Sequence, residues 1–171
     1  MLDTQAGAVS LRNMAAEDLA QASSLVCDNY RYLARTEGYD ARRLNDLIQL
    51  RGSTEALLRQ MKQCAFIVAQ RQGAIAGLAS VQRNEIDKLF VAPAVHRAGI
   101  GRILFREACR RIQADGYDSV FLGAVPGAVP FYAKMGMRIT GYKLIDKGPL
   151  EGFTQPLMAL DFADEKSSFC G

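Results

Sequence analysis

The spacing of apolar residues assigns most of this chain before any other property is considered. Ile100, Leu104, Ala108 and Ile112 recur every fourth residue, with Arg102, Arg106, Arg110 and Arg111 between them. That pattern is an amphipathic helix laid on a sheet. Just upstream, Ile86, Leu89, Phe90 and Val91 form a strand whose far end is apolar on both faces, as a central strand requires. Pro93 cannot donate to a sheet ladder and ends it. Val9 to Arg12 reads as a first strand, followed by a helix from Ala15 to about Ala34 that buries Leu19, Ala22, Leu25 and Val26. Asp40 and Ser53 are placed to cap helices over Ala41–Leu50 and Thr54–Lys62. Ala65–Ala69 and Ile75–Val81 flank Arg71-Gln72-Gly73 as a hairpin, and Asp118–Leu122 is a further strand. Arg138–Leu144 and Gln155–Phe162 form a late pair joined by Ile145–Phe153. A mixed α/β fold follows, with helices on both faces of one sheet.

Composition narrows the class. At 171 residues the chain is most economically one domain, 1–171, and 49% hydrophobic residues suffice for a substantial core. A mean hydropathy of −0.02 with 23% charged residues describes an ordinary soluble protein. The net charge of +3 is too small to argue for nucleic acid or an anionic membrane. No run reaches the length of a membrane span, and the start MLDTQAGAVS lacks the basic-then-apolar form of a signal peptide. Cys27, Cys64, Cys109 and Cys170 include no Cys-x-x-Cys pair and His96 is the only histidine, so no metal is expected. The cysteines read as the reduced thiols of a cytoplasmic protein. The tail 163–171 has little to bury and is expected to be mobile.

The loop between the central strand and the amphipathic helix carries the first candidate chemistry. Gly99 and Gly101 sit where the helix begins, among backbone N–H groups that have no intrahelical acceptor. Such a loop suits a phosphate or pyrophosphate. A nucleotide-triphosphatase loop would continue Gly-Lys-Ser/Thr, but Gly101 is followed by Arg102 and Ile103. A dinucleotide fingerprint needs a third glycine at the position of Leu104. What remains, His96-Arg97-Ala98-Gly99-Ile100-Gly101, resembles the Gln/Arg-x-x-Gly-x-Gly/Ala motif with which GNAT-type N-acetyltransferases hold the pyrophosphate of acetyl-coenzyme A. His96 departs from it, since the family usually has Gln or Arg there. Taken alone, the motif is equally well read as a glycine-rich turn with no ligand.

A second segment joins it. Ala128-Val129-Pro130-Phe131-Tyr132-Ala133-Lys134-Met135-Gly136-Met137 resembles the family's A-x-x-(F/L)-Y-x-K-x-G-F run. Met137 stands where Phe is usual, and Val125 where the family often has an Asn that contacts the cofactor. Two motifs in the right order, one strand apart, are far more specific than either alone. The chain is identified as a member of the GNAT superfamily, the resemblance being strongest over residues 65 to 160. That implies a central, mixed, mostly antiparallel twisted sheet and acetyl-CoA as cosubstrate.

The resemblance also implies roles. Direct attack on a thioester needs an amine without its proton, and an aliphatic ammonium has a pKa of about 10.4. It also needs donors for the oxyanion and a proton for the leaving thiolate. The strand before the loop, Leu89, Phe90 and Val91, is expected to meet the cofactor, with the Leu89 and Val91 amides facing the oxyanion; a bulge would free them, and simple pairing with a neighbouring strand is the alternative. Tyr132 is the candidate acid, or else a core tyrosine like Phe131. Glu85 falls where the histone-acetylating branch carries its base, with Asp87 a lesser candidate and a solvated side chain the alternative. His96 is read as a cofactor-contacting or surface residue, and Arg97 and Arg102 as partners for phosphates or solvated charges. Two functions stay open: an N-acetyltransferase acting on a small-molecule or protein amine, and an acyl-CoA-binding sensor without turnover. Neither involves nucleic acid or membrane, and association into a homodimer is left open. The acceptor walls are expected at Tyr30–Asp40 and Ile145–Phe153, where Glu37, Asp40, Asp146 and Glu151 compete with Arg42, Arg43 and Lys147.

Overall fold

The computed structural model describes residues 8–164. Most of the tail expected to be mobile lies outside these residues, although 162–164 form one helical turn after the last strand. The sheet has seven strands: β1 (Val9–Asn13), β2 (Ala65–Arg71), β3 (Ala74–Gln82), β4 (Glu85–Val91), β5 (Ser119–Gly123), β6 (Arg138–Leu144) and β7 (Thr154–Asp161). Their order across the sheet is β1-β2-β3-β4-β5-β7-β6. Only β4 and β5 run parallel; every other neighbouring pair is antiparallel. The helices are α1 (Leu19–Glu37), α2 (Ala41–Leu47), α3 (Thr54–Gln60), α4 (Ile100–Ala114) and α5 (Val129–Lys134).

Two cores sandwich the sheet. On one face Ile100, Leu104, Phe105, Ala108 and Ile112 of α4 pack with Ile67, Ala79, Ile86, Val120, Leu122 and Met158. On the other, Leu25, Val26 and Tyr30 of α1, Leu47 of α2 and Leu57 of α3 cover Val68, Leu78 and Phe90. Each large apolar side chain so buried contributes about 1.5–3 kcal/mol. The alternation expected at the far end of β4 is present: Leu89 and Val91 join the α4 core, and Phe90 meets Tyr30 edge-on at 5.4 Å. Helix α4 comes unusually close to β3, because Gly77 has no side chain; a Cβ there would lie 2.8 Å from Leu104 Cδ1 and 3.0 Å from the Phe90 carbonyl oxygen.

The local chemistry explains the boundaries. Asp40 and Ser53 cap α2 and α3, accepting the N–H of Arg43 at 2.8 Å and of Ala56 at 3.2 Å. The β2–β3 hairpin closes on Gln72 and Gly73, both left-handed, as a tight turn between twisted strands demands. Helix α1 starts later than the pattern suggests, after a 3₁₀ turn over Ala16–Asp18 in which Asp18 accepts the Ala15 N–H at 2.8 Å. It also ends later, at Glu37, where Gly38 adopts a left-handed conformation (φ 76°). The second predicted helix stops at Leu47 and passes into a π turn, Ile48–Gly52.

Candidate active site

Strand β4 is bulged. It pairs with β3 through Lys88↔Ser80 and Ile86↔Val81, so Asp87 is an extra residue with no partner across the ladder. Beyond the bulge the Ala92 N–H bonds the Ala76 carbonyl at 2.8 Å, which fixes the phase of the ladder. Phe90 and Lys88 then exchange hydrogen bonds with β3, while Leu89 and Val91 turn their N–H and C=O groups the other way, towards β5. On that side the β4–β5 ladder consists of one pair, Glu85↔Phe121. The two parallel strands separate from there on. Leu89 and Val91 therefore present their amides to an opening in the middle of the sheet rather than to a neighbouring strand.

The loop above this opening is shaped for an anion. Arg97 (φ 67°) and Gly99 (φ 80°) are both left-handed, and helix α4 begins at Ile100. Ala98 and His96 donate their N–H groups within the loop, to Val95 and Pro93. The amides of Arg97, Gly99, Ile100, Gly101 and Arg102 have no such acceptor among the described residues. The two glycines serve different ends. Gly99 faces open space and is needed for its backbone angle, whereas a Cβ on Gly101 would sit 3.3 Å from the Phe131 ring and 3.6 Å from Val91. Gly101 is thus what lets α4, α5 and β4 converge at the mouth of the opening.

The two carboxylates proposed as bases differ sharply. Asp87 lies between Arg51 Nη2 at 2.8 Å and Lys88 Nζ at 2.9 Å. Burial pushes its pKa up, but these two cations outweigh that and hold it below the ordinary value. A carboxylate so stabilised is a poor base. Lys88 keeps only 1% of its side chain exposed and gives a second hydrogen bond to Gln60 Oε1 at 2.5 Å. Glu85, half-buried and free of any ion pair among the described residues, is pushed upwards by burial and then by the Asp87 carboxylate, with Arg51 and Lys143 only partly opposing. Of the pair, Glu85 is the better base.

Tyr132 lies on α5, its ring 5.1 Å from Phe131 and 6.2 Å from Phe105. Burial raises its pKa well above the usual phenol range, and no hydrogen bond or charge offsets that burial. The hydroxyl is therefore protonated at every physiological pH. The same ring belongs to the α4 core, as the packing reading expects.

A family model of the acetyltransferase (GNAT) domain matches residues 39–150, well over half of the chain. The chain belongs to the GNAT acetyltransferase family. Solved structures agree on the fold. A GCN5-related N-acetyltransferase from Rhodopseudomonas palustris superposes with a TM-score of 0.80 at 19% identity, over 90% of this chain and 95% of that one. PaiA N-acetyltransferase from Thermoplasma acidophilum, solved in complex with coenzyme A, gives 0.72 at 19% identity, over 91% and 99%. YncA from Salmonella typhimurium, solved with its cofactor acetyl-CoA, gives 0.64 at 14% identity, over 90% and 94%.

Asn29, Arg51 and Lys88 of this GNAT domain's site carry no signal in the sequence, and they join His96 and Glu37, which do. Asn29, buried on α1, donates to the Val91 carbonyl at 3.1 Å. The His96 ring nitrogen Nε2 meets the same carbonyl at 3.0 Å, and its ring packs edge-on against Tyr32 at 5.3 Å. His96 thus turns back onto the strand end instead of towards the loop amides. Glu37, at the end of α1, accepts the Gly127 N–H at 3.1 Å, so α1 touches both lips of the opening. Arg51 and Lys88 complete the set through Asp87. Of the walls, Asp40 is paired with Arg43 at 2.8 Å, and Arg43 also covers the Phe153 ring at 5.2 Å. Tyr39 packs edge-on against Phe153 at 5.2 Å, which joins α2 to the β6–β7 loop. Two shallow surface cavities, of about 440 and 310 Å³, lie elsewhere, around Arg110–Asp115 and around Asn13–Cys64. Among the described residues no helix is long and apolar enough to cross a membrane, and no three His, Cys, Asp or Glu side chains converge as a metal site would need.

Proposed function

We propose that this chain transfers the acetyl group of acetyl-coenzyme A to a primary amine by direct attack. The observation that carries this reading is the opening between β4 and β5, with two strand amides turned into it directly below a loop of acceptor-free N–H groups. Pyrophosphate lies against the amides of Arg97, Gly99, Ile100, Gly101 and Arg102, with the Arg97 and Arg102 side chains exposed beside them. The thioester carbonyl then points at the Leu89 and Val91 amides, which need no reorganisation to receive an oxyanion.

In the reaction the amine lone pair attacks the carbonyl carbon and a C–N bond forms. The tetrahedral intermediate collapses with loss of the C–S bond. Before attack the substrate ammonium gives its first proton through water to Glu85, whose pKa burial raises above that of an ordinary carboxylate. The second proton ends on sulfur, giving the amide and the free thiol. A thiol has a pKa of about 8.5, below that of Tyr132, so Tyr132 acts mainly by donating a hydrogen bond to the departing sulfur as it gains charge. The reading places the protein in the cytoplasm, in keeping with its unpaired Cys27 and Cys64.

The test has two arms. Calorimetry with coenzyme A reads the cofactor site, and release of free thiol from acetyl-CoA across a panel of primary amines reads turnover. Binding with amine-dependent release is the expected result. Tight binding with no release for any amine would select the sensor reading and overturn this one.

A further inference from the structure

Glu85 belongs to a row that crosses the sheet. Its register partner on β5 is Phe121, which pairs with Ala159 on β7, which pairs with Arg138 on β6. In-register neighbours share a face, and this row lies on the face that α1, α2 and α3 cover over β2–β4. Over β5 and β7 that cover ends. Phe121, Ala159 and Leu157 of the next row pack into neither core, and Phe121 keeps 42% of its surface exposed. An aromatic ring thus stands in the open beside the candidate base.

Apart from Glu85, most carboxylates on this face are already paired. Asp87 is held by Arg51 and Lys88, and Asp161 is paired with Arg138 at 3.0 Å. Arg138 also reaches Asp164 at 3.3 Å, and Lys143 stands at the outer edge. Beyond Glu85 the face offers an acceptor mainly apolar surface, and an apolar body would cover Phe121, Leu157 and Ala159. From the level of Leu89 to that of Glu85 the β3 register advances three steps, Ala79 to Gln82, or roughly 10 Å.

Resting on the acetyltransferase reading, we propose that the acceptor is a monoamine carried on an apolar, preferably aryl, body about 10 Å long, which lies over β5 and β7 with Phe121 as its anchor. The site is continuous with the opening, so the nitrogen reaches the thioester while the ring rests on Phe121.

The experiment compares 4-phenylbutylamine, n-butylamine and spermidine with acetyl-CoA and the full chain, in wild type, Phe121→Ala and Phe121→Leu, each checked by thermal melting. Phenylbutylamine should exceed the other two in kcat/KM by roughly tenfold or more, as expected for a buried ring. Phe121→Ala should collapse the phenylbutylamine-to-butylamine ratio towards one, mainly through KM, and Phe121→Leu should restore part of it. A wild type that prefers spermidine, or a preference that survives in folded Phe121→Ala, overturns the proposal and leaves acetyl transfer standing. Coenzyme A binding without thiol release for any amine overturns both.

Discussion

Replacing Tyr132 by Phe separates catalysis from packing. The variant removes one oxygen and leaves the ring that fills the space beside Phe105 and Phe131. The residue is buried, but the hydroxyl oxygen is not a fully buried atom left without a partner, a state that only Ser80 Oγ shows among the described residues. Tyr132→Phe should therefore melt within a few degrees of the wild type, since 1 kcal/mol is worth about 2–4 °C at this size. Turnover should fall. A positioned donor is worth about 10²–10⁴ in rate, and the raised pKa of Tyr132 places it at the weak end, near 10² or about 2.7 kcal/mol of barrier. The loss should appear in kcat more than in the KM for acetyl-CoA. It should shrink when the leaving thiol is made more acidic. The assay is steady-state thiol release with an amine for which chemistry limits the rate, alongside a melt. A folded variant with half the original kcat would return Tyr132 to the core. A fall in Tm of more than about 5 °C would show that the hydroxyl has a structural partner, and would refute the reasoning from the other side.

Gly99→Glu should weaken coenzyme A binding at least tenfold by calorimetry, because it strains a left-handed position and sets an anion beside the phosphates. Unchanged affinity in folded protein would remove the loop as the pyrophosphate site. Because burial and Asp87 raise the Glu85 pKa, its basic form is present above that pKa and disappears as pH falls through it. Glu85→Gln should therefore lower the rate most where the wild-type carboxylate is ionised and recover partly as pH rises and the amine deprotonates on its own; overlaid pH–rate profiles would exclude Glu85. Asp18, held at about 2 by its hydrogen bonds from Arg12, contributes stability above the unfolded carboxylate pKa that is lost as pH falls towards 2. Asp18→Asn should flatten that acid limb in melts between pH 5 and 2 and cost on the order of 1 kcal/mol at neutrality. Gly77→Ala drives a methyl group against Leu104 and the Phe90 carbonyl, and should lower stability by about 1–3 kcal/mol in urea titration.

The acid–base pair shows how far the linear pattern reaches. Glu85 and Asp87 stand two apart on one strand, and the resemblance puts Glu85 first without a physical reason. The physical reason comes from Arg51, 36 positions away along the chain, and from Lys88, whose buried ammonium no periodicity would place inside. The π turn after α2 is similar. A Cβ on Gly52 would lie 3.2 Å from Cys27 Sγ and 3.3 Å from the Tyr30 ring, so packing against α1 shapes that backbone. His96 is a further case: its place in the motif left it a cofactor-contacting or surface residue, and the fold sets it exposed with Nε2 on the Val91 carbonyl.

Wherever the governing interaction is local, the sequence by itself determined the result. Alternation placed Leu89 and Phe90 on opposite faces, caps at Asp40 and Ser53 started two helices, Gly73 closed a hairpin, and two short motifs identified the family. The tertiary structure alone decided where β4 bulges, where β4 and β5 part, and which face of β5 stays bare. Those features depend on pairings between residues far apart in the chain. A strand reads the same in sequence whether its neighbour stays beside it or leaves after Phe121. Only the partner's path tells whether the amides of Leu89 and Val91 face a strand or an open cleft.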